Sequence, residues 1–147
     1  MASARKFEGD KTVDFPAADI SIVWLSQQGV ELKLTLHFSR MVDGPEQDLE
    51  VVFDSPLAFQ WEDETFGLVP LPDELPHCST PQWQRWAFPI LLIDKSDWAD
   101  KYAQRTFTAE EYECKIVTHY AFISLNDLVH VLSVSPPIVR WVSPVGA

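Results

Sequence analysis

His119 and His130 stand eleven residues apart and flank a turn at Asn126-Asp127. That spacing suits cross-strand neighbours, and two imidazoles meeting Asp127 would form an acid–base pair. The structural alternative is preferred for His130. It lies in the most apolar stretch of the chain, Leu128 to Val134, where a neutral, hydrogen-bonded core histidine is expected. His119 falls opposite the Tyr120 face of its own strand and is expected to be half exposed, and His37 is expected on a polar strand face. His77-Cys78 is an adjacent pair of ligand types, but neighbours in a Pro-rich loop meet one metal poorly and no second pair completes a tetrahedron. Asp94 precedes a helix at a strand end, where a capping or turn role is favoured over catalysis. No phosphate loop, dinucleotide fingerprint, nucleophile elbow or zincin motif occurs. Five glycines leave little backbone for a phosphate cradle. The residues therefore read as those of a protein that is not an enzyme, with no catalytic, cofactor-binding or metal-binding residue assigned.

Binding chemistry is better represented. Trp83 and Trp86 bracket Gln84 and Arg85, a grouping that serves as an interface hot spot, a ligand-stacking wall or a loop anchor. The 147-residue chain carries 22 acids against 11 bases, a net charge of -11. Nucleic-acid binding needs a basic face to displace counterions, and an anionic membrane needs the same, so neither partner is expected. The acidity is also localised. Between Arg40 and Arg85 there are ten acids and no base, and the remaining acids and bases nearly cancel. A concentrated negative field steers cationic partners. Acidic loops also keep a Trp-rich domain soluble.

The elements that position these groups are mostly strands. Val30 to Phe38 alternates apolar and polar without error, the period of a half-buried strand. Ile20 to Leu25 with Gln27-Gln28-Gly29 predicts the hairpin partner and its turn. Further strands are expected at Leu49 to Asp54, with Leu49, Val51 and Phe53 inward, and at Leu57 to Glu62, with Leu57, Phe59 and Trp61 inward. Glu50, Asp54 and Glu62 then point outward and could share one sheet face. Phe66 to Gln84, with four prolines, reads as a long loop pinned by Phe66, Leu68, Leu71 and Leu75. Phe88 to Ile93, Cys114 to Ile123 and Leu128 to Val134 read as strands, the last one central and covered on both faces. Ile138 to Val142 is a strand or an extended tail.

Ser96 has the character of an N-cap, with Asp97 and Asp100 at the positive end of the helix dipole and Lys101 and Arg105 toward the other end. Trp98, Ala99, Tyr102 and Ala103 give that helix one apolar face. Thr108 with Glu111 fits a capping box. The expected fold is α+β: about seven strands in a mainly antiparallel sheet, as a sandwich or open barrel, with one amphipathic helix near Ser96-Arg105. Residues 1–12 are expected to be a flexible N-terminus and 13–147 a single domain. Cys78 and Cys114 read as free thiols of a cytoplasmic protein.

The run His119-Tyr120-Ala121-Phe122-Ile123-Ser124-Leu125-Asn126-Asp127-Leu128-Val129-His130-Val131-Leu132-Ser133, followed by Pro137-Ile138-Val139, resembles the tail of small acidic bacterial proteins of unknown function. Ile93-Asp94-Lys95-Ser96-Asp97-Trp98 is similar to the helix entry in such proteins. Some of them look like immunity proteins of bacterial polymorphic toxin systems, cytosolic inhibitors that neutralise a cognate toxin. The resemblance implies a packing pattern and transfers no site residue. Together with the charge, it points to an acidic binding protein, an immunity-type inhibitor of a basic partner, with Glu50, Asp54, Glu62, Asp63, Glu64, Trp83 and Trp86 as partner-binding residues. The alternatives are a small-ligand binder or enzyme with a pocket under the Phe66-Gln84 loop, or a structural homo-oligomer.

Overall fold

A computed structural model describes residues 2–7, 20–38, 47–63, 69–77, 87–108, 110–111, 116–124 and 127–143. Among them are nine strands and a ten-residue helix: β1 (Ser3–Lys6), β2 (Ile20–Gln28), β3 (Glu31–Phe38), β4 (Gln47–Phe53), β5 (Ala58–Asp63), β6 (Ile90–Asp94), α1 (Asp97–Thr106), β7 (Thr118–Ile123), β8 (Asp127–Ser133) and β9 (Ile138–Val142). All pairings are antiparallel, in a five-stranded sheet of order β1-β6-β7-β8-β5 and a four-stranded sheet of order β2-β3-β4-β9. The class is thus the expected α+β, with more strands than the seven expected. One of the additions is β1, which pairs Ser3 to Lys6 with β6 in a segment expected to be flexible.

The two sheets face each other across one core. Leu32, Leu34, Leu36 and Phe38 of β3 and Leu49, Val51 and Phe53 of β4 meet Tyr120, Phe122, Val129 and Val131 of β7 and β8. These residues are spaced two apart, so each strand commits one face to the interior. The β2–β3 hairpin turns at Gly29 and Val30 rather than before them. Val30, expected to begin the strand, is 67% exposed, and Leu32 is the first buried residue. Gly29 sits at φ +58°, where a Cβ crowds the following carbonyl. Gly29→Ala is therefore expected to lower stability by about 1 kcal/mol, read as a shift in urea midpoint, although space around the missing Cβ is open.

The five-stranded sheet is covered on its second face as well. There, Phe88, Leu91, Ile93 and Ala121 pack with Leu71 and Leu75 of the 69–77 segment, the anchoring expected of the Pro-rich loop. Phe66 and Leu68, the other expected anchors, lie outside the described residues. Helix α1 docks on the same face, burying Ala99 and Ala103, and its Tyr102 hydroxyl donates to the Leu57 carbonyl at 2.8 Å. Ser96 caps the helix as its sequence suggests, accepting from the Ala99 amide at 3.1 Å. Such a cap contributes about 1 kcal/mol. Thr108 and Glu111 form the reciprocal capping box, both bonds at 3.2 Å. Strand β8 is central and doubly covered, as its composition predicts.

Candidate functional site

The polar residues buried between α1 and the five-stranded sheet form one line. Residues of a β-strand alternate faces. His119 on β7 and His130 on β8 therefore both point away from the sandwich core and toward the helix. Their strands pair with Ala121 opposite His130, which leaves His119 diagonal to His130 and within reach. His119 Nε2 and His130 Nδ1 are 2.8 Å apart. At one end, Ser96 Oγ is 2.7 Å from His119 Nδ1. At the other, His130 Nε2 faces Glu62 Oε1 at 3.3 Å, a charge contact outside the alignment of a directed hydrogen bond. Glu62 also accepts from the Val69 amide at 3.2 Å. Trp98 of α1 stands edge-on over both imidazoles, with ring centroids at 5.2 and 6.2 Å.

This line is dry. His130 is 0%, His119 2%, Glu62 5% and Ser96 8% exposed. Burial drives the His119 pKa down to about 3, with repulsion from His130 as a lesser contribution. Burial also pushes His130 down, against an opposing pull from Glu62. Both rings are accordingly neutral at pH 7. If each imidazole carries its proton on Nε2, every hydrogen points the same way. Ser96 O–H donates to His119 Nδ1, His119 Nε2–H donates to His130 Nδ1, and His130 Nε2–H faces the Glu62 carboxylate.

Ser96 borders an open depression of about 420 Å³, lined also by Ala99, Asp100 and Ala103 of α1, Leu92 and Ile93 of β6, and Val117 and Thr118 at the start of β7. Arg5 and Asp94 at its edge are ion-paired at 2.9 Å. Lys95, between strand and serine, has φ 55°. That left-handed turn is sterically costly for a residue with a Cβ and sets the abrupt passage from β6 into α1.

The sequence-assigned binding residues are scattered. Glu50, on β4, lies on the outer face of the four-stranded sheet between Lys33 at 3.2 Å and Arg140 at 3.0 Å. Burial pushes its carboxyl up, and the Arg140 and Lys33 bonds outweigh this and hold it below the usual range. Glu62 belongs to the buried line described above, so it cannot meet a partner. β5 keeps the expected phase, with Phe59 on the sandwich core and Trp61 opposite Val129, but Trp61 is 41% exposed and Glu62, on the other face, is buried rather than outward to solvent. The shared acidic sheet face does not form, because β4 and β5 belong to different sheets. Asp54 and Asp63 are exposed. Glu64, Trp83 and Trp86 lie outside the described residues.

Register brings together a group that the spacing did not suggest. Asp63 pairs with Asp127 and Trp61 with Val129. Trp61, Asp63 and Asp127 therefore share one face at the C-terminal end of β5, an edge strand among the described residues. Asp127, considered for an acid–base pair with the histidines, is on this face and not on theirs. A second acid–histidine contact joins His37 Nδ1 to Asp48 Oδ1 at 2.6 Å, on the outer face of β3 and β4. The described part of the Pro-rich loop lines two open depressions, one with Asp73, Glu74, Leu75, His77 and Ala87 and one with Ala2, Ser3, Leu71 and Pro72 beside the same two acids. Among the described residues no cluster of three or more His, Cys, Asp or Glu is placed to hold a metal, and no helix is long and apolar enough to cross a membrane. No family model, curated protein or solved structure matches the chain.

Proposed function

We propose that the protein is an acidic binding protein that captures a basic protein partner, in the manner of an immunity-type inhibitor that occludes the cationic substrate surface of a toxin. The observation that carries this reading is the corner formed by Trp61, Asp63 and Asp127. Two carboxylates directly opposite each other across a strand pair concentrate negative field at this corner, and a Trp 41% exposed beside them offers apolar surface. A cationic partner matches both, because an aromatic anchor ringed by complementary charge is the arrangement of an interface hot spot. The net charge of -11 supports the same partner sign at long range. The neutralised Glu50 and the buried Glu62 take no part. Asp54 contributes to the field.

Capture from native lysate, with identification of what is bound, tests this. Asp63→Lys with Asp127→Lys, and separately Trp61→Ala, should abolish capture of a basic protein. Glu31→Lys with Glu110→Lys makes the same change in net charge at other exposed positions and should leave capture largely intact. Equal loss in both charge variants would reduce the effect to total charge and overturn the assignment of this corner.

A further inference from the structure

The binding corner leaves the Ser96 line and its depression unused. We propose that Ser96 is a nucleophile toward small acyl esters, with His119 as its proton acceptor and His130 and Glu62 as positioning residues behind it. The inference is independent of the acidic surface. It rests on the junction of three features: a line of four buried side chains, with Ser96, His119 and His130 hydrogen-bonded in series and Glu62 3.3 Å beyond, a depression bordered by Ser96, and a helix N-terminus beside that serine.

The line solves a problem that the burial creates. Neutral His119 cannot hold an added proton, because an imidazolium in that dry site is strongly disfavoured. It can pass one on. As Ser96 Oγ bonds to the acyl carbon, its proton moves to His119 Nδ1. The His119 Nε2 proton moves to His130 Nδ1, and the His130 Nε2 proton moves to the Glu62 carboxylate. Both rings end as neutral, tautomer-swapped imidazoles, and the only charge gained or lost is at the two ends. The reverse shift returns a proton from His119 Nδ1 to the leaving oxygen as the ester C–O bond breaks, giving acyl-Ser96 and an alcohol. Water then repeats the cycle: it donates its proton to His119, attacks the acyl carbon, and releases a carboxylic acid and Ser96. The 3.3 Å step between His130 and Glu62 is the long link, and it must shorten in the reaction, as catalytic contacts in unliganded sites commonly do.

The surroundings fit the same step. The Ala99 amide donates to Ser96 Oγ at 3.1 Å and fixes its position beside His119. The amides of Asp97 and Trp98 belong to the first turn of α1, so helix geometry leaves them no intrahelical acceptor. A carbonyl oxygen turning negative beside Ser96 meets that positive helix end. Leu92, Ile93, Ala99, Ala103 and Val117 offer small and aliphatic walls beside the charged Arg5, Asp94, Lys95 and Asp100, and about 420 Å³ suits a short acyl chain.

The folded wild-type protein should react with a fluorophosphonate to give a single adduct on the peptide that contains Ser96, and the urea-unfolded chain should not. It should also turn over p-nitrophenyl butyrate. Ser96→Asn keeps a capping oxygen and should lose both activities. Glu62→Gln keeps an acceptor for Val69 and His130 but cannot take the proton. It should slow labelling at least tenfold and straighten the plot of rate against deuterium fraction, which should bow in the wild type because several protons move together. A purely structural Glu62 would not alter that curvature. Absence of a Ser96 adduct in the folded wild type, or equal labelling rates in wild type and Glu62→Gln, would overturn the proposal.

Discussion

Taking the protein from pH 7 to pH 3 is expected to remove on the order of 4 kcal/mol of folding stability through His119 alone. The sign follows from which state binds the proton. In the unfolded chain His119 titrates near 6.5, whereas the folded chain refuses the proton until about pH 3. Between those values the unfolded state holds more protons, so stability falls as the pH drops, and above 6.5 it levels off. His130 adds to the loss in the same direction, less the opposing pull of Glu62. Glu50, whose carboxyl lies below its ordinary value, contributes stability that is present above 4.5 and is lost as the pH falls through its folded value. A typical domain has about 5 to 15 kcal/mol in total, so a loss of this size brings the protein close to acid unfolding. Urea titrations at several pH values measure it. His119→Gln cannot ionise and still offers an N–H to His130, so its acid limb should be several kcal/mol shallower. An unchanged slope in that variant would place the acid sensitivity elsewhere.

Glu62→Ala is expected to cost about 2 to 4 kcal/mol, the penalty for leaving two buried N–H groups without their carboxylate acceptor. It leaves His130 Nε2 and the Val69 amide facing an apolar void, in a site only 5% exposed. Glu62→Gln should cost about 1 kcal/mol or less, since the amide oxygen replaces the acceptor. Replacing the whole inner segment tests the reason for this contrast. Glu62→Leu with His119→Phe and His130→Leu removes the carboxylate and both imidazoles at once, leaving only the Val69 amide and the Ser96 hydroxyl to be satisfied, and buried polar groups exchanged for packed apolar residues are often tolerated. The triple variant is therefore expected to be more stable than Glu62→Ala. If it is less stable, packing rather than polar satisfaction governs the site.

Much of the architecture could be read from residue patterns, because those patterns report local physics. The alternation in β3 is a direct consequence of strand geometry, and all four apolar positions Leu32, Leu34, Leu36 and Phe38 are fully buried. Ser96 and its acidic first turn mark a helix start through groups within a few residues of one another. The apolar character of β8 on both faces, broken by His130, announces a strand covered on both faces. The failures have a common cause in long-range assembly. In β5 the segment Phe59-Gln60-Trp61-Glu62 offers apolar residues at one phase, yet Glu62 is the buried one. What buries it is His130 on β8 and the Val69 amide, neither of which local spacing can reveal. Likewise β4 and β5 are neighbours in sequence but enter different sheets, so their acids never assemble. β1 pairs along β6, a strand distant in sequence that local spacing around Ser3 to Lys6 cannot reveal.

The candidate site was half legible. The eleven-residue spacing of His119 and His130 correctly suggested cross-strand neighbours. The third member was misplaced, because Asp127 has the opposite side-chain phase on β8 to His130 when counted along the strand. Ser96 was read as a cap and is one, but its hydroxyl also reaches His119. That second contact depends on where α1 docks on the sheet.

The directed chain from Ser96 to Glu62 is tested most directly by the nitrogen-15 chemical shifts of the histidine side chains at pH 7. His119 and His130 should both appear as neutral imidazoles protonated on Nε2, with the His119 Nε2 proton shifted downfield by its bond to His130, and His119 should remain neutral below pH 5. Imidazolium shifts for either ring at pH 7, or protons on Nδ1, would contradict it.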